Sequence, residues 1–128
     1  MTGLADFHDG YVDGVLLSPS GARILLRTVE EGKFTLVLSR LEALRVNDLK
    51  KGNIIFEVKL LQLREIEASF VFEVHEFSDE HKKTFVLDEW VEKAAKKGLT
   101  ALEITPSYGC SILAIFNGYT LLDGHVYS

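Results

Sequence analysis

The chain reads as an α+β domain, built mainly from an antiparallel sheet of roughly eight to ten strands with one amphipathic helix packed on it. Three observations predict this. Apolar residues alternate with polar ones along several segments, which is the period of a half-buried strand. Turn residues punctuate those segments at short intervals. The period changes to that of a helix once, around Leu87–Ala95.

The elements follow in order. Tyr11–Leu17 is the first strand, and Ser18-Pro19-Ser20-Gly21 is the turn after it, since Pro presets φ and Gly tolerates positive φ. Arg23–Val29 returns, Glu30-Glu31-Gly32 is short enough for a hairpin loop, and Lys33–Leu38 alternates, which makes an antiparallel meander. Leu41–Val46 is a further strand, closed by Asn47-Asp48 and Lys50-Lys51-Gly52. Along Asn53–Gln62 the even positions Ile54, Phe56, Val58 and Leu60 are apolar, as on the dry side of a long strand.

Glu65–Glu76 carries the clearest period of two. Ile66, Ala68, Phe70, Phe72 and Val74 take one side and Glu65, Glu67, Ser69, Glu73 and His75 the other, with Val71 alone breaking the polar row. A strand is expected there, paired to the preceding one by a turn near Leu63-Arg64. Its alternation implies an antiparallel sheet with one wet face. Ser78-Asp79-Glu80-His81 reads as a turn and Lys82–Leu87 as a strand.

In the helix at about 88–97, Leu87, Trp90, Val91, Ala94 and Ala95 form one stripe, with Asp88 as expected N-cap and Lys96-Lys97-Gly98 as basic last turn and stop. Trp90 is expected to face the sheet. Ala101–Thr105 and Cys110–Phe116 are strands joined around Pro106-Ser107-Tyr108-Gly109, and Asn117-Gly118 is a turn or bulge before Tyr119–Leu122.

Length and composition bound the rest. With 128 residues, 47% hydrophobic, no repeat and no linker-like stretch, one domain spanning 1–128 is expected. A single cysteine, Cys110, rules out an intramolecular disulfide and a Cys-rich zinc site. The opening residues Met1–Asp6 lack the basic and apolar regions of a leader, and no apolar run reaches the about 18 residues that span a bilayer. A cytoplasmic, membrane-free protein is expected. The net charge of −5 argues against a nucleic-acid partner, although Arg23 and Arg27 share a strand parity.

Few side chains suggest chemistry. Asp6, His8, Asp9 and Asp13 are the densest group of ligands and proton carriers; Asp6, His8 and Asp9 are the candidate metal ligands, and His8, Asp9 and Asp13 the candidate centre of a small metal-dependent hydrolase. Their spacing matches no calcium loop, and a turn capped by Asp9 with a locally bonded His8 is the simpler explanation. His75 and His81 flank the expected turn with Asp79 nearby and form a second metal candidate, short of a third ligand. No Gly-x-Ser-x-Gly elbow or phosphate-binding glycine loop occurs, so no cofactor is expected, and Cys110 reads as a buried, inert thiol.

Candidate binding residues are Tyr11 and Tyr108, near turns, with Glu65, Glu67, Glu73 and His75 on the polar row. The reading that best fits is a non-enzymatic interaction protein that takes a protein partner or a second copy of itself.

Three stretches, Phe7-His8-Asp9-Gly10, Gly52-Asn53-Ile54-Ile55 and Pro106-Ser107-Tyr108-Gly109, resemble those of a family of small uncharacterised bacterial proteins. More distantly, the Phe-His-Asp opening before alternating strands resembles immunity proteins of bacterial toxin systems. The resemblance implies a bacterial cytosolic protein acting by binding another protein, and it assigns no catalytic residue. Lys82-Lys83 and Lys96-Lys97 depart from the strongly acidic face expected of a neutraliser of a basic nuclease.

Overall fold

The computed structural model describes residues 3–128. Met1 and Thr2, the first residues of the stretch weighed as a leader, lie outside the described residues. A short 3-10 turn, Leu4–Phe7, precedes β1 (Tyr11–Ser18), β2 (Gly21–Arg27), β3 (Lys33–Ser39), β4 (Ala43–Asn47) and β5 (Asn53–Leu61). Three helices follow, α1 (Ala68–His75), α2 (Asp79–Thr84) and α3 (Leu87–Lys96), and then β6 (Thr100–Tyr108), β7 (Ser111–Phe116) and β8 (Tyr119–Asp123). The eight strands form one antiparallel sheet in the order β4-β7-β6-β5-β1-β2-β3-β8. The predicted α+β class with a mainly antiparallel sheet is the class observed.

The sheet curls round on itself. β3 runs on into β4 through Arg40–Glu42, and β7 into β8 through Asn117-Gly118; β8 pairs with β3 while β4 pairs with β7. Backbone bonds from Asn117 to Ser39, from Ser39 to Gly118 and from Glu42 to Ile115 carry the ladder across both bends. The six crossings β1, β2, β3–β4, β7–β8, β6 and β5 therefore close into a small barrel. Its interior holds Val12, Ile24, Leu26, Leu36, Leu38, Ile55, Leu102, Ile104, Ile112 and Phe116, and Phe7 packs into the same core from the N-terminal turn. A second cluster lies outside, where Ala101, Leu113 and Ile115 meet Ile66, Val71, Val74 and Ala94 from the helical segment. Both faces of β7 are thereby covered, which accounts for its unbroken apolar run Ile112–Phe116.

The structure corrects several expectations. Glu65–Glu76 is not a strand, and no pair turns at Leu63-Arg64: Leu63–Glu65 is a 3-10 turn and Ala68–His75 is α1. Val71, the residue that broke the polar row, is fully buried; with Phe70 and Val74 it forms a stripe at helical spacing, and Ile66 from the preceding turn joins it in the cluster with Leu113 and Ile115. Burial against the outer face of β7 outweighed the β-propensity of the aromatic and branched residues.

Lys82–Leu87 is likewise not a strand. Ser78-Asp79-Glu80-His81 begins α2, with the Ser78 hydroxyl accepting the His81 N–H at 3.1 Å as an N-cap. The helix expected at 88–97 is α3, one of three; its N-cap is Val86, with Asp88 and Glu89 in the first turn, and Trp90 packs on the outer cluster. It ends at Gly98, whose φ of +69° suits a residue without a Cβ.

A further correction concerns β5. Against β6 its register slips at Phe56, so Ile55 and Val58 face the barrel core while Phe56 is exposed. The apolar even row expected from Ile54 to Leu60 is cut in two.

Candidate functional site

The four residues proposed as a metal or catalytic group do not converge. Asp6 accepts the Gly3 N–H at 2.7 Å and so caps its own turn. His8 Nδ1 donates to the Phe56 carbonyl, and its Nε2 lies 3.6 Å from the Asp9 carboxylate, with both side chains more than half exposed. Asp13 is turned to other partners: it accepts Arg27 Nε at 2.7 Å and lies 3.5 Å from His125 Nε2. Among the described residues, no three His, Cys, Asp or Glu side chains form a group that would hold a metal ion.

His75 and His81 do not face each other either. The Phe77 ring lies between them, 3.9 Å and nearly parallel to His81 and 5.6 Å from His75. Burial pushes the His75 imidazole below the usual histidine range; the Glu42 charge opposes this and the His81 charge adds to it. The pair thus serves an aromatic stack that also includes Phe72 and Phe85.

Glu65, Glu67 and Glu73 do come together, although on a helical segment rather than a strand. With Glu103 of β6 they line a groove of about 270 Å³ whose apolar wall includes Leu61, Ile66, Phe70 and Leu113. Glu65 is partly occupied, since its carboxylate accepts the Gln62 N–H at 2.9 Å. His75, expected beside them, belongs to the stack instead.

The two tyrosines meet in a different way. Tyr11 of β1 lies opposite Arg27 on one side and Ile54 of β5 on the other, and Ile54 lies opposite Tyr108 of β6. Their chain neighbours Val12, Leu26 and Ile55 are buried in the barrel, so this row of four faces outward. The Arg27 guanidinium sits 4.3 Å from the Tyr11 ring centre, and Lys50 Nζ sits 5.4 Å from that of Tyr108. Asp13, bonded to Arg27, holds the guanidinium charged and oriented, and Glu31 adds a contact at 3.6 Å. Tyr108 remains 51% exposed and Phe56 48% exposed. Their place near expected turns pointed to Tyr11 and Tyr108; Ile54, Lys50 and Phe56 needed the strand register.

The three stretches that carry the sequence resemblance also meet. Backbone bonds join Asp9 and Gly10 to Ile55. The buried Asn53 side chain donates to the carbonyls of Val12 and Lys50 and accepts the N–H groups of Lys50 and Cys110. Gly109 packs so closely on Asn53 that a Cβ there would collide with its Oδ1. Cys110, beside this junction, is buried, and burial, with a smaller effect of the Asp48 charge, pushes its thiol pKa up to about 11. These stretches therefore account for one end of the barrel, and their exposed residues border the tyrosine row. Comparison of the chain with protein-family models, curated proteins and solved structures finds no match.

Proposed function

We propose that this chain is a non-enzymatic interaction protein of the bacterial cytosol, and that a partner protein docks on the outward row Arg27–Tyr11–Ile54–Tyr108. One observation carries the reading: the ladder of β1, β5 and β6 sets two tyrosines on either side of an isoleucine and adds a pre-oriented arginine. Tyrosine and arginine are the side chains on which protein interfaces concentrate their binding energy. Tyrosine offers a large rigid ring with a polar tip, and an arginine already held by Asp13 loses little freedom when a partner arrives. A role like that of an immunity protein, which acts by occupying another protein, is the finer form of this reading.

The test is capture from a bacterial lysate with the tagged chain and with its Tyr108→Ala variant, whose exposed side chain can be removed without opening the core. A stoichiometric protein should be retained by the first and lost by the second, and retained by Glu67→Gln in the acidic groove. Equal retention by Tyr108→Ala, or no captured protein, would overturn the proposal.

A further inference from the structure

β1 has a second, separate feature. Only Tyr11 and Val12 pair with β5, which begins at Asn53, so past Val12 no residue of β5 lies beside β1. Among the described residues, no backbone bond reaches Gly14–Ser18 from the side away from β2. These five residues keep strand conformation through their pairing with β2, so they present an open edge.

That edge is poorly guarded. Natural sheets protect open edges with charges, prolines, bulges or a covering element. Here the bulge at Asp13 and the turn proline Pro19 lie at the two ends, and Gly14-Val15-Leu16-Leu17-Ser18 between them carries no charge. Leu17 lies opposite the buried Ala22, and Val15 opposite the buried Ile24, so both take the core side of the sheet. Leu17 is nevertheless 72% exposed, the most exposed large apolar residue described.

We infer that this edge pairs with the same edge of a second copy, antiparallel about a two-fold axis through Leu16. Such a register sets Gly14 opposite the second copy's Ser18, Val15 opposite its Leu17, and Leu16 opposite Leu16. It covers the exposed Leu17 with an apolar neighbour twice, once in each copy. The uncharged segment also lets two chains of net charge −5 approach without a local like-charge pair. A pairing of five residues is small beside the roughly 800 Å² per partner of a standard interface, so a weak dimer that dissociates on dilution is expected. The tyrosine row lies at the β5 end of β1 and takes no part in this contact.

The experiment is sedimentation of the purified chain across a wide concentration range, with Leu17→Lys alongside. The wild type should pass from monomer to dimer, and Leu17→Lys should weaken dimerisation at least tenfold while its circular dichroism stays unchanged. Leu16→Cys gives a second measurement that does not depend on that variant. Directly opposed residues of antiparallel strands have Cα atoms about 4.5–5.5 Å apart, within disulfide reach, and the native Cys110 is buried. Under mild oxidation Leu16→Cys should cross-link rapidly, and a Val29→Cys control should not. A chain that stays monomeric throughout, a dimer indifferent to Leu17→Lys, or equal cross-linking of the two cysteine variants would overturn the inference. None of these outcomes bears on partner capture through Tyr108.

Discussion

Asn53 accepts the backbone N–H of Cys110 at 3.0 Å, and this bond ties the start of β5 to the turn between β6 and β7. The same amide makes three more bonds, to Val12 and to both backbone groups of Lys50, and is 2% exposed. A side chain of four atoms thus joins three segments far apart in sequence.

Removing that amide leaves buried backbone groups without partners, each at about 1–3 kcal/mol. Asn53→Ala should lower stability by roughly 2–4 kcal/mol in urea unfolding followed by circular dichroism. Asn53→Asp should cost at least as much at neutral pH, because a carboxylate cannot donate to the Val12 and Lys50 carbonyls. An Asn53→Asp protein as stable as the wild type would show that those two donations contribute little.

Gly109 is the counterpart of Asn53 across this junction. Its φ of +84° is strained for any L side chain, and a Cβ would meet Asn53 Oδ1. Gly109→Ala should therefore destabilise the fold by about 1–3 kcal/mol, the range for a residue forced into such a conformation. In the Asn53→Ala background the cost should shrink, since the colliding oxygen is gone. A double-mutant cycle reads this coupling directly.

Val71 separates a helical from a strand arrangement of Ala68–His75. Val71→Asp would bury an unpaired carboxylate between α1 and β7 and should cost upward of about 3 kcal/mol. Ser69→Asp, on the exposed side of α1, should stay within about 0.5 kcal/mol. Comparable effects at the two positions would contradict the helix and its outer core.

The lowered pKa of His75 has a definite sign in stability. The unfolded chain binds a proton to this imidazole near the usual histidine value of about 6.5, while the folded chain resists it. Its contribution to stability is therefore present above pH of about 6.5 and is lost as pH falls through the lower folded value. Melting temperature measured from pH 8 to pH 5 should fall more for the wild type than for His75→Gln. Parallel curves for the two proteins would show that another group governs the acid limb.

Much of the β framework was legible in the sequence. Tyr11–Leu17, Lys33–Leu38 and Cys110–Phe116 each carry a local signal, an alternation or an apolar run bounded by turn residues, and each is a strand within a residue or so of the expected limits. The α3 stripe is equally local. Glu65–Glu76 misled because an eight-residue helix with alternating phenylalanines satisfies both periods, and only its contact with β7 decides between them. For the candidate site, Tyr11 and Tyr108 could be singled out as aromatics near turns, whereas Asp6, His8, Asp9 and Asp13 looked joined only because they are close in sequence.

An antiparallel α+β domain, its hairpins, the amphipathic α3 and a buried Cys110 are all written in short stretches of the chain, because periodicity and turn chemistry act over a few residues. Tertiary structure alone decided that the sheet closes through β3–β4 and β7–β8, that Phe56 is turned outward, and that Tyr11, Ile54 and Tyr108 stand in one row. Those outcomes depend on register between strands separated by dozens of residues. Register is set by which side chains the closed core can hold, a property that no short stretch of chain possesses.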